Sequence, residues 1–394
     1  MMSQARVIVF LFCAGLSCFA QAPPPVGITS LVLDGNRAYA ELDFIRPDGS
    51  SHRALAFVDM GSPNFAITET LLHDLHLVQG MPLRFRVGAL AVQIPLTEAV
   101  SDAGPSYSVG TELKVEAVLP ARTMQGYDVV LDYARRSLTF ALAGTARAEG
   151  IAVPFDIDRD TGLLAVDAAI AGLHYRVTID NGSAYTWFRQ DTAKSWLGGH
   201  SEWERGVGAV GASNMMMAGD GAEATGTLLR IPEISIGEVR LKQVGALAAG
   251  HSRRFPASRD LFDWYSAKNA VPVVGWIGGN ALKNFRLTVA YSRRTIYWLQ
   301  ERQPEEGDLN QVGLTLAAAA GEYRVDGIAT KNCKPTVEGV VPGDKLIQIG
   351  ALHMQTATWG EIYQALHGRP GEERILLLER NGKQFTVRAR VTAF

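Results

Sequence analysis

The chain has 394 residues, of which 47% are hydrophobic, and a formal net charge of −2 at pH 7. A chain of this length can bury a large core and favours two or three domains. Its near-zero net charge gives no basis for binding nucleic acid or an anionic membrane surface. After residue 20 no apolar run is long enough for a membrane-spanning helix, so we expect no stable membrane span there.

Residues 1–20 have the pattern of a secretory signal peptide. Arg6 supplies the positive flank, residues 7–16 form the apolar run, and residues 18–20 are a small-x-small cleavage site. A retained N-terminal anchor and a lipoprotein-type site at Cys18 are the alternatives. Removal of this segment would leave Cys333 as the remaining cysteine, so we expect no internal disulfide.

Two short segments of the chain repeat each other. Residues 57–62 read Phe-Val-Asp-Met-Gly-Ser, and residues 178–183 read Thr-Ile-Asp-Asn-Gly-Ser. Each is a strand-like run that reaches an Asp, with apolar residues resuming after the Gly-Ser. A carboxylate between buried strands costs free energy unless it is paired or used. A single such Asp is typical of an Asx-turn at a strand end, but the duplication predicts that Asp59 and Asp180 come together.

A second repeat follows in the same order. Residues 129–140 and residues 287–298 both read as a strand, a Tyr-x-Arg-Arg turn and a strand. Internal repetition of this kind indicates a duplicated architecture. The sequence therefore predicts two similar halves, residues 27–150 and residues 151–303.

The order of these motifs resembles that of the pepsin and retropepsin class of aspartic proteases, in which an Asp-Thr/Ser-Gly signature occurs once in each of two lobes. Residues 274–285, Val-Gly-Trp-Ile-Gly-Gly-Asn-Ala-Leu-Lys-Asn-Phe, are similar to the late apolar-apolar-Gly, short helix and Phe of that family. In the first half the counterpart is cut down to residues 124–126, and we expect no helix before its terminal hairpin. The resemblance implies a mainly β fold with two similar lobes and a cleft between them.

The resemblance also implies that Asp59 and Asp180 are a catalytic pair. Two adjacent carboxyl groups hold one proton between them. The ionised group takes a proton from water while its protonated partner hydrogen-bonds the scissile carbonyl. The family has Thr or Ser after each Asp, with a hydroxyl that bonds to the opposite loop, whereas this chain has Met60 and Asn181. Met60 cannot make such a bond, and Asn181 can both donate and accept.

The rest of each motif is expected to support its carboxylate. Gly61 and Gly182 fit the family pattern because the backbone must approach the carboxylates closely. Ser62 and Ser183 are expected to hydrogen-bond the outer carboxylate oxygens.

Two segments are candidates for a cover over the substrate. Tyr107 lies where the family carries a flap tyrosine, and an ordinary exposed turn is its alternative interpretation. Residues 206–226 are rich in glycine and contain three consecutive methionines, which suits either a mobile apolar cover or core packing.

The composition changes at residues 302–308, a polar run with Pro and Gly that predicts a linker. The following residues 308–394 resemble a PDZ domain, chiefly through the Gly-Val-x-Pro-Gly-Asp-x-Leu-x-x-Ile-Gly turn of residues 339–350. This resemblance implies that the opening segment supplies backbone amides to the C-terminal carboxylate of a peptide. The residues of that segment are Val312, Gly313, Leu314, Thr315 and Leu316.

The sequence thus predicts a hydrolase, an aspartic endopeptidase that acts on peptides or unfolded protein. A secreted or periplasmic location, in a Gram-negative bacterium, follows from the signal peptide and the compact PDZ-like domain. No cofactor is expected, because the eight histidines show no zinc-ligand spacing, and a Gly-x-Ser-x-Gly nucleophile elbow is absent from the sequence. The alternative is a catalytically degenerate peptide-binding or scaffold protein, in which Met60 and Asn181 mark the loss of catalysis.

Overall fold

A computed structural model describes residues 25–78, 80–96, 99–102, 113–212, 221–249, 261–319 and 322–394. The predictions for the signal peptide, Tyr107 and the three consecutive methionines lie outside these ranges. The described residues form a mainly β protein with two similar lobes, which confirms the predicted fold class. Within the same ranges, no helix is both long enough and apolar enough to cross a membrane.

The first lobe is built from antiparallel hairpins that alternate buried and exposed residues. Its strands are β1 Val26–Asp34, β2 Arg37–Ile45, β3 Ser51–Asp59, β4 Phe65–Thr68, β5 Pro82–Val87, β6 Leu90–Pro95, β7 Ala99–Asp102, β8 Val115–Pro120, β9 Tyr127–Asp132 and β10 Ser137–Leu142. Its helices are α1 Glu69–Asp74 and α2 Ala121–Met124. In β5 every second residue is buried, which is the alternation of a strand with one face on the core.

The second lobe repeats this plan with more helix. Its strands are β11 Ile151–Pro154, β12 Asp156–Ile157, β13 Leu164–Ile170, β14 Leu173–Ile179, β15 Thr186–Phe188, β16 Arg205–Val207, β17 Gly211–Ala212, β18 Thr227–Ile236, β19 Val239–Ala248, β20 Gly275–Ile277, β21 Phe285–Ala290 and β22 Thr295–Gln300. Its helices are α3 Gln190–Gly199, α4 Gly221–Ala224, α5 Leu261–Ala267, α6 Gly279–Leu282 and a 3-10 turn at Tyr291–Arg293.

Strand order around the two Asp residues is the same in both lobes. In the first lobe β3, which ends at Asp59, runs parallel to β8, and β8 is antiparallel to β4. In the second lobe β14, which ends just before Asp180, runs parallel to β20, and β20 is antiparallel to β15. Each Asp therefore begins a turn that carries the chain from one side of a central strand to the other.

The two Tyr-x-Arg-Arg hairpins join the lobes through one sheet. β9 pairs antiparallel with β21, so that Val130 lies opposite Thr288. On either side the order continues symmetrically, with β10 and β1 beyond β9, and β22 and β11 beyond β21. The two hairpins that repeat in the sequence thus lie side by side in one sheet, which joins the two lobes.

The expectation that the first lobe has no helix before its terminal hairpin is wrong. α2 follows β8 and leads into β9, just as α6 follows β20 and leads into β21. The sequence of α2 hides it, since Pro120 stands at its N-cap position where the second lobe has Gly278. A helix of one turn makes too few intrahelical bonds to carry a strong sequence signal.

The C-terminal region has a separate sheet and one amphipathic helix. Its strands are β23 Leu314–Ala319, β24 Glu322–Ile328, β25 Thr330–Lys331, β26 Lys334–Pro335, β27 Lys345–Ile349, β28 Leu352–His353, β29 Glu373–Arg380 and β30 Lys383–Arg390. Of these, β25 and β26 extend the sheet of the second lobe, because β25 pairs with β16. Its helix is α7 Trp359–Leu366, and a 3-10 turn lies at Met354–Thr356. The N-cap of α7 is Thr358, which forms a capping box with Glu361. The predicted amphipathic segment is therefore a helix with a well-defined start.

This C-terminal region packs against both lobes. Tyr39 and Phe57 of the first lobe belong to the same buried cluster as Trp359 of α7. The carboxylate of Asp34 accepts hydrogen bonds from the Thr358 hydroxyl at 2.5 Å and the Gly360 amide at 2.8 Å. An anion at the start of a helix is stabilised by the amides exposed there.

The segment predicted as a linker is anchored at Asp308, which is 3% exposed. Its carboxylate accepts from Arg230 at 2.8 Å and from Asn280 at 2.7 Å, both in the second lobe. Its carbonyl accepts from the Tyr363 hydroxyl of α7 at 2.7 Å. A buried ion pair with these additional bonds ties the C-terminal region to the second lobe.

Candidate active site

The two Asp-x-Gly-Ser turns face each other at the junction of the lobes. A Cβ placed on Gly61 would collide with the Asp180 carboxyl group, and a Cβ on Gly182 would collide with that of Asp59. The two carboxyl groups themselves share a hydrogen bond. The structure therefore brings the two Asp residues together, and glycine is required beside each of them by this reciprocal approach.

A single side chain bridges the two turns. The Asn181 Oδ1 accepts from the Met60 amide at 2.8 Å, and the Asn181 Nδ2 donates to the Val58 carbonyl at 2.8 Å. Asn181 has no exposed surface, and the Met60 side chain is 1% exposed within the main hydrophobic core. One amide thus supplies a donor and an acceptor to the first loop, whereas the Met60 side chain packs in the hydrophobic core.

The two carboxyl groups have different hydrogen-bond partners. Asp180 Oδ1 accepts from the amides of Gly182 at 3.0 Å and Ser183 at 3.2 Å, and Asp180 Oδ2 accepts from the Ser183 hydroxyl at 3.1 Å. Asp59 Oδ1 accepts from the Gly61 amide at 2.8 Å. Since donors favour the ionised form, the environment of Asp180 suits a carboxylate better than that of Asp59.

The expected role of Ser62 requires a correction. Its hydroxyl donates to the Asn64 carbonyl at 3.2 Å rather than to the outer oxygen of Asp59. Asn64 follows Pro63 in this turn, while the second loop has Ala184 and Tyr185 after its Ser. The Ser62 hydroxyl therefore bonds a nearby backbone carbonyl, whereas the Ser183 hydroxyl bonds the carboxylate of its own Asp.

The pKa values of both carboxyl groups are raised. Burial is the largest cause for Asp59, followed by the negative charge of Asp180, and together they place the pKa of Asp59 well above its usual range. Burial also raises the pKa of Asp180, while bonds from Ser183, Asp59 and Gly182 oppose that rise. The neighbouring negative charge thus adds to the rise in the pKa of Asp59, while hydrogen-bond donors oppose the rise in the pKa of Asp180, and the two carboxyl groups titrate as a coupled pair.

Sequence reasoning missed Tyr265 of α5. Its hydroxyl lies 2.9 Å from the Gly61 carbonyl and 3.3 Å from Asp180 Oδ2. The ring is held against Trp276, with centroids 5.1 Å apart. Asp180 is 3% exposed under this cover, whereas Asp59 is half-buried. The spacing of Phe262 and Tyr265 shows one apolar helical face, but nothing in the sequence says which loop that face meets.

Arg37 was also missed. This side chain is 2% exposed, and its Nε donates to the Gly182 carbonyl at 3.0 Å. Beside it the Asn36 amide donates to the Ala184 carbonyl at 3.3 Å. The β1–β2 turn of the first lobe thereby holds the Asp180 loop of the second, a long-range contact for which the sequence carries no signal.

The predicted peptide-binding segment of the C-terminal region lies elsewhere, and all five of its residues are buried. The Val312 amide donates to the Leu366 carbonyl at 3.0 Å, and the Leu314 amide donates to the Val312 carbonyl at 2.7 Å. Two of the amides predicted to receive a carboxylate are thus already bonded within the protein. Tyr107, the candidate flap tyrosine over the substrate, lies outside the described residues.

Among the described residues, no group of three or more His, Cys, Asp and Glu side chains is arranged to hold a metal ion. Cys333 is a free, exposed thiol. The groups that meet at the junction are the carboxyl pair, the Ser183 and Tyr265 hydroxyls and the backbone of the two loops.

Comparisons with known proteins give resemblances in structure alone. No protein-family model matches the chain, and no curated protein matches it. Among solved structures, the aspartic proteinase from Irpex lacteus is similar, with 12% sequence identity, coverage of 70% of this chain and 97% of that chain, and a TM-score of 0.40. So distant a similarity carries no functional conclusion, and the chemistry must be judged from the two loops.

Proposed function

We propose that this protein is an aspartic endopeptidase that hydrolyses extended peptides by activating water between Asp59 and Asp180. The observation that carries the proposal is the pair of carboxyl groups brought together by two loops of the same topology. Asp180, which carries the charge, acts as the base that takes a proton from water, and Asp59 donates its proton toward the scissile carbonyl. Asn181 and the glycines hold the two groups at the required separation.

The C-terminal region serves as a PDZ-like peptide-recognition domain in this proposal. Support comes from the amphipathic helix α7, which contacts β27 of the same sheet, and from the signature turn, where Asp344 accepts from the Val341 amide at 2.9 Å. Arg380 pairs with the same carboxylate at 2.7 Å and holds the pKa of Asp344 below its usual range. Extended peptides bind such domains by adding a strand beside the helix.

A secreted or periplasmic location completes the proposal. A peptidase of this kind would meet unfolded protein or peptides outside the cytoplasm, as the N-terminal sequence pattern suggests.

A second candidate is a peptide-binding protein on the same scaffold. The specific observation in its favour is the Tyr265 hydroxyl, which lies against Asp180 and keeps that carboxylate from the solvent. In that case peptides would be held without being cleaved.

One assay separates the candidates. The full-length protein without its first 20 residues is incubated with a mixed peptide library between pH 3 and 7, and products are identified by mass spectrometry. Cleavage that disappears in Asp180→Asn and persists in the exposed control Asp167→Asn supports the peptidase. Binding of library peptides without any cleavage at any pH would favour the second candidate.

A further inference from the structure

A segment of the second lobe completes the sheet of the C-terminal region. β17 pairs in parallel with β23, with Gly211 opposite Thr315 and Ala212 opposite Leu316. It also contacts α7 on its other side. Just before it, the Ala209 carbonyl accepts from the Thr315 hydroxyl at 2.8 Å. The space between β23 and α7, where a peptide would add as a strand, is thus filled by the protein's own chain.

The space around Gly211 in this segment leaves little room for a side chain. Gly211 has a φ of 74°, which favours glycine. A Cβ at this position would lie 2.8 Å from the Gln311 Oε1 and 2.9 Å from the Tyr185 hydroxyl. Ala209 and Val210 belong to a buried cluster with Tyr363 of α7. The groove therefore holds a segment with glycine at position 211 and the buried side chains of Ala209 and Val210 before it.

The same segment supports the Asp180 loop. The Tyr185 hydroxyl donates to the Val210 carbonyl at 3.1 Å, and Tyr185 lies two residues after Ser183. The Tyr185 carbonyl accepts from Trp276, the residue against which Tyr265 packs. Residues 209–212 thus contact the groove on one side and the support of the candidate active site on the other.

We propose that residues 209–212 are an internal ligand of the groove between β23 and α7. An external extended peptide with small apolar side chains exchanges with them, and this exchange removes the Val210 partner of Tyr185 beside the Asp180 loop. The proposal rests on the proposed peptide recognition by the C-terminal region and adds its regulation. Because the internal segment is tethered, its high effective concentration weakens the binding of any external competitor.

The test uses an acetylated and amidated peptide with the sequence of residues 206–212, labelled with fluorescein. Both ends are blocked because the segment seen in the groove is internal to a chain. Binding to the full-length protein is measured by fluorescence anisotropy. The wild-type protein should bind weakly, since its groove is free for only a small fraction of the time.

Two variants release the internal segment in different ways. Tyr185→Phe removes the hydroxyl that bonds the Val210 carbonyl and the Gln311 side chain, and Gly211→Val introduces a side chain that would collide with Gln311 and the Tyr185 hydroxyl. Each should bind the peptide about tenfold more tightly than the wild type. The matched controls are Tyr175→Phe, which alters a hydroxyl bonded to Trp196 in the same lobe, and Gly172→Val, at a turn glycine of φ 76° with open space around it. Neither control should change the affinity.

Hydrogen exchange on the peptide-bound wild-type protein supplies a second readout. Residues 209–212 should lose protection while β23 keeps it. Unchanged affinity in both release variants, or continued protection of residues 209–212 at saturating peptide, would overturn the internal ligand. If the segment exchanges with the peptide but the protein shows no Asp180-dependent cleavage, the peptidase proposal is rejected and the internal-ligand proposal is retained.

Discussion

The two Asp loops share a backbone and differ in their side chains. Both turns cross a central strand in the same way, and each places its glycine against the opposite carboxyl group. Yet Asn181 makes both cross-loop bonds, whereas the Met60 side chain is packed in the core. Ser183 bonds its own Asp, and Ser62 does not.

This difference teaches that a duplicated frame can assign unequal roles to equivalent carboxyl groups. Asp180 accepts bonds from the Gly182 and Ser183 amides and the Ser183 hydroxyl, whereas the pKa of Asp59 is raised well above its usual range by burial and by the charge of Asp180. The asymmetry arises from the residues around the carboxylates, because the strands that carry them are equivalent.

The largest effect is expected from neutralising either carboxyl group. Asp59→Asn and Asp180→Asn should each lower kcat by about 10²- to 10⁴-fold, since each removes one partner of the acid–base pair. Steady-state kinetics on a cleaved library peptide measures this. Activity that survives either change within about tenfold would mean that the two groups are not a catalytic pair.

The same two variants should differ in stability as the pH changes. Folding raises the pKa of Asp59, so the wild-type free energy of unfolding should fall as pH rises from about 4 through the folded pKa of Asp59. Asp59→Asn should lose much of this slope and be more stable than Asp180→Asn at pH 7 by about 1–3 kcal/mol, because position 180 is surrounded by donors. Urea unfolding at several pH values measures the difference, and equal stability of the variants at pH 7 would contradict the assignment of the proton.

A further loss of stability is expected when the Asn181 side chain, which makes both bonds between the two loops, is removed. Asn181→Ala leaves the Met60 amide and the Val58 carbonyl buried without their partner, at a cost of about 2–4 kcal/mol. The control Asn181→Thr restores the hydroxyl usual in the resembling family and should recover part of that loss. Chemical denaturation gives the free energies, and a loss below about 0.5 kcal/mol for Asn181→Ala would show that the lobes are held without this amide.

Substitution of the Met60 side chain should lower stability by less than Asn181→Ala does. Met60→Thr exchanges a core side chain for a smaller polar one and should lower stability by about 1–2 kcal/mol through lost burial. Peptidase activity should not rise, since Asn181 already bonds the Met60 amide. If stability were unchanged and activity increased, the Asp59 loop would be poorly held in the natural protein.

The smallest effect is expected at Tyr265. Tyr265→Phe removes the hydroxyl bonds to Gly61 and Asp180 but keeps the ring against Trp276. Without these bonds, exposing Asp180 to the substrate should require less free energy. KM should therefore fall by about three- to tenfold, equivalent to about 0.6–1.4 kcal/mol, with little change in kcat. A fall in kcat at constant KM would instead show that the hydroxyl takes part in the chemical step.

The sequence by itself determined the duplication, because repeated motifs in the same order require repeated structure. The pairing of the two Asp residues and the Tyr-x-Arg-Arg hairpins were predicted from such repeated patterns, and the mainly β fold from the family resemblance that these motifs carry. The helix before the first hairpin was missed, since one turn that follows Pro120 carries little periodic signal.

Only the tertiary structure decided how the two loops are supported. Tyr265, Arg37 and the 209–212 segment reach the site from far along the chain, through contacts that depend on how the lobes and the C-terminal region pack. The Ser62 hydroxyl likewise turned to a carbonyl two residues away, a choice set by the local path of the backbone. Sequence pattern fixes which residues are buried on one element, but the partner that each buried polar group finds depends on three-dimensional proximity.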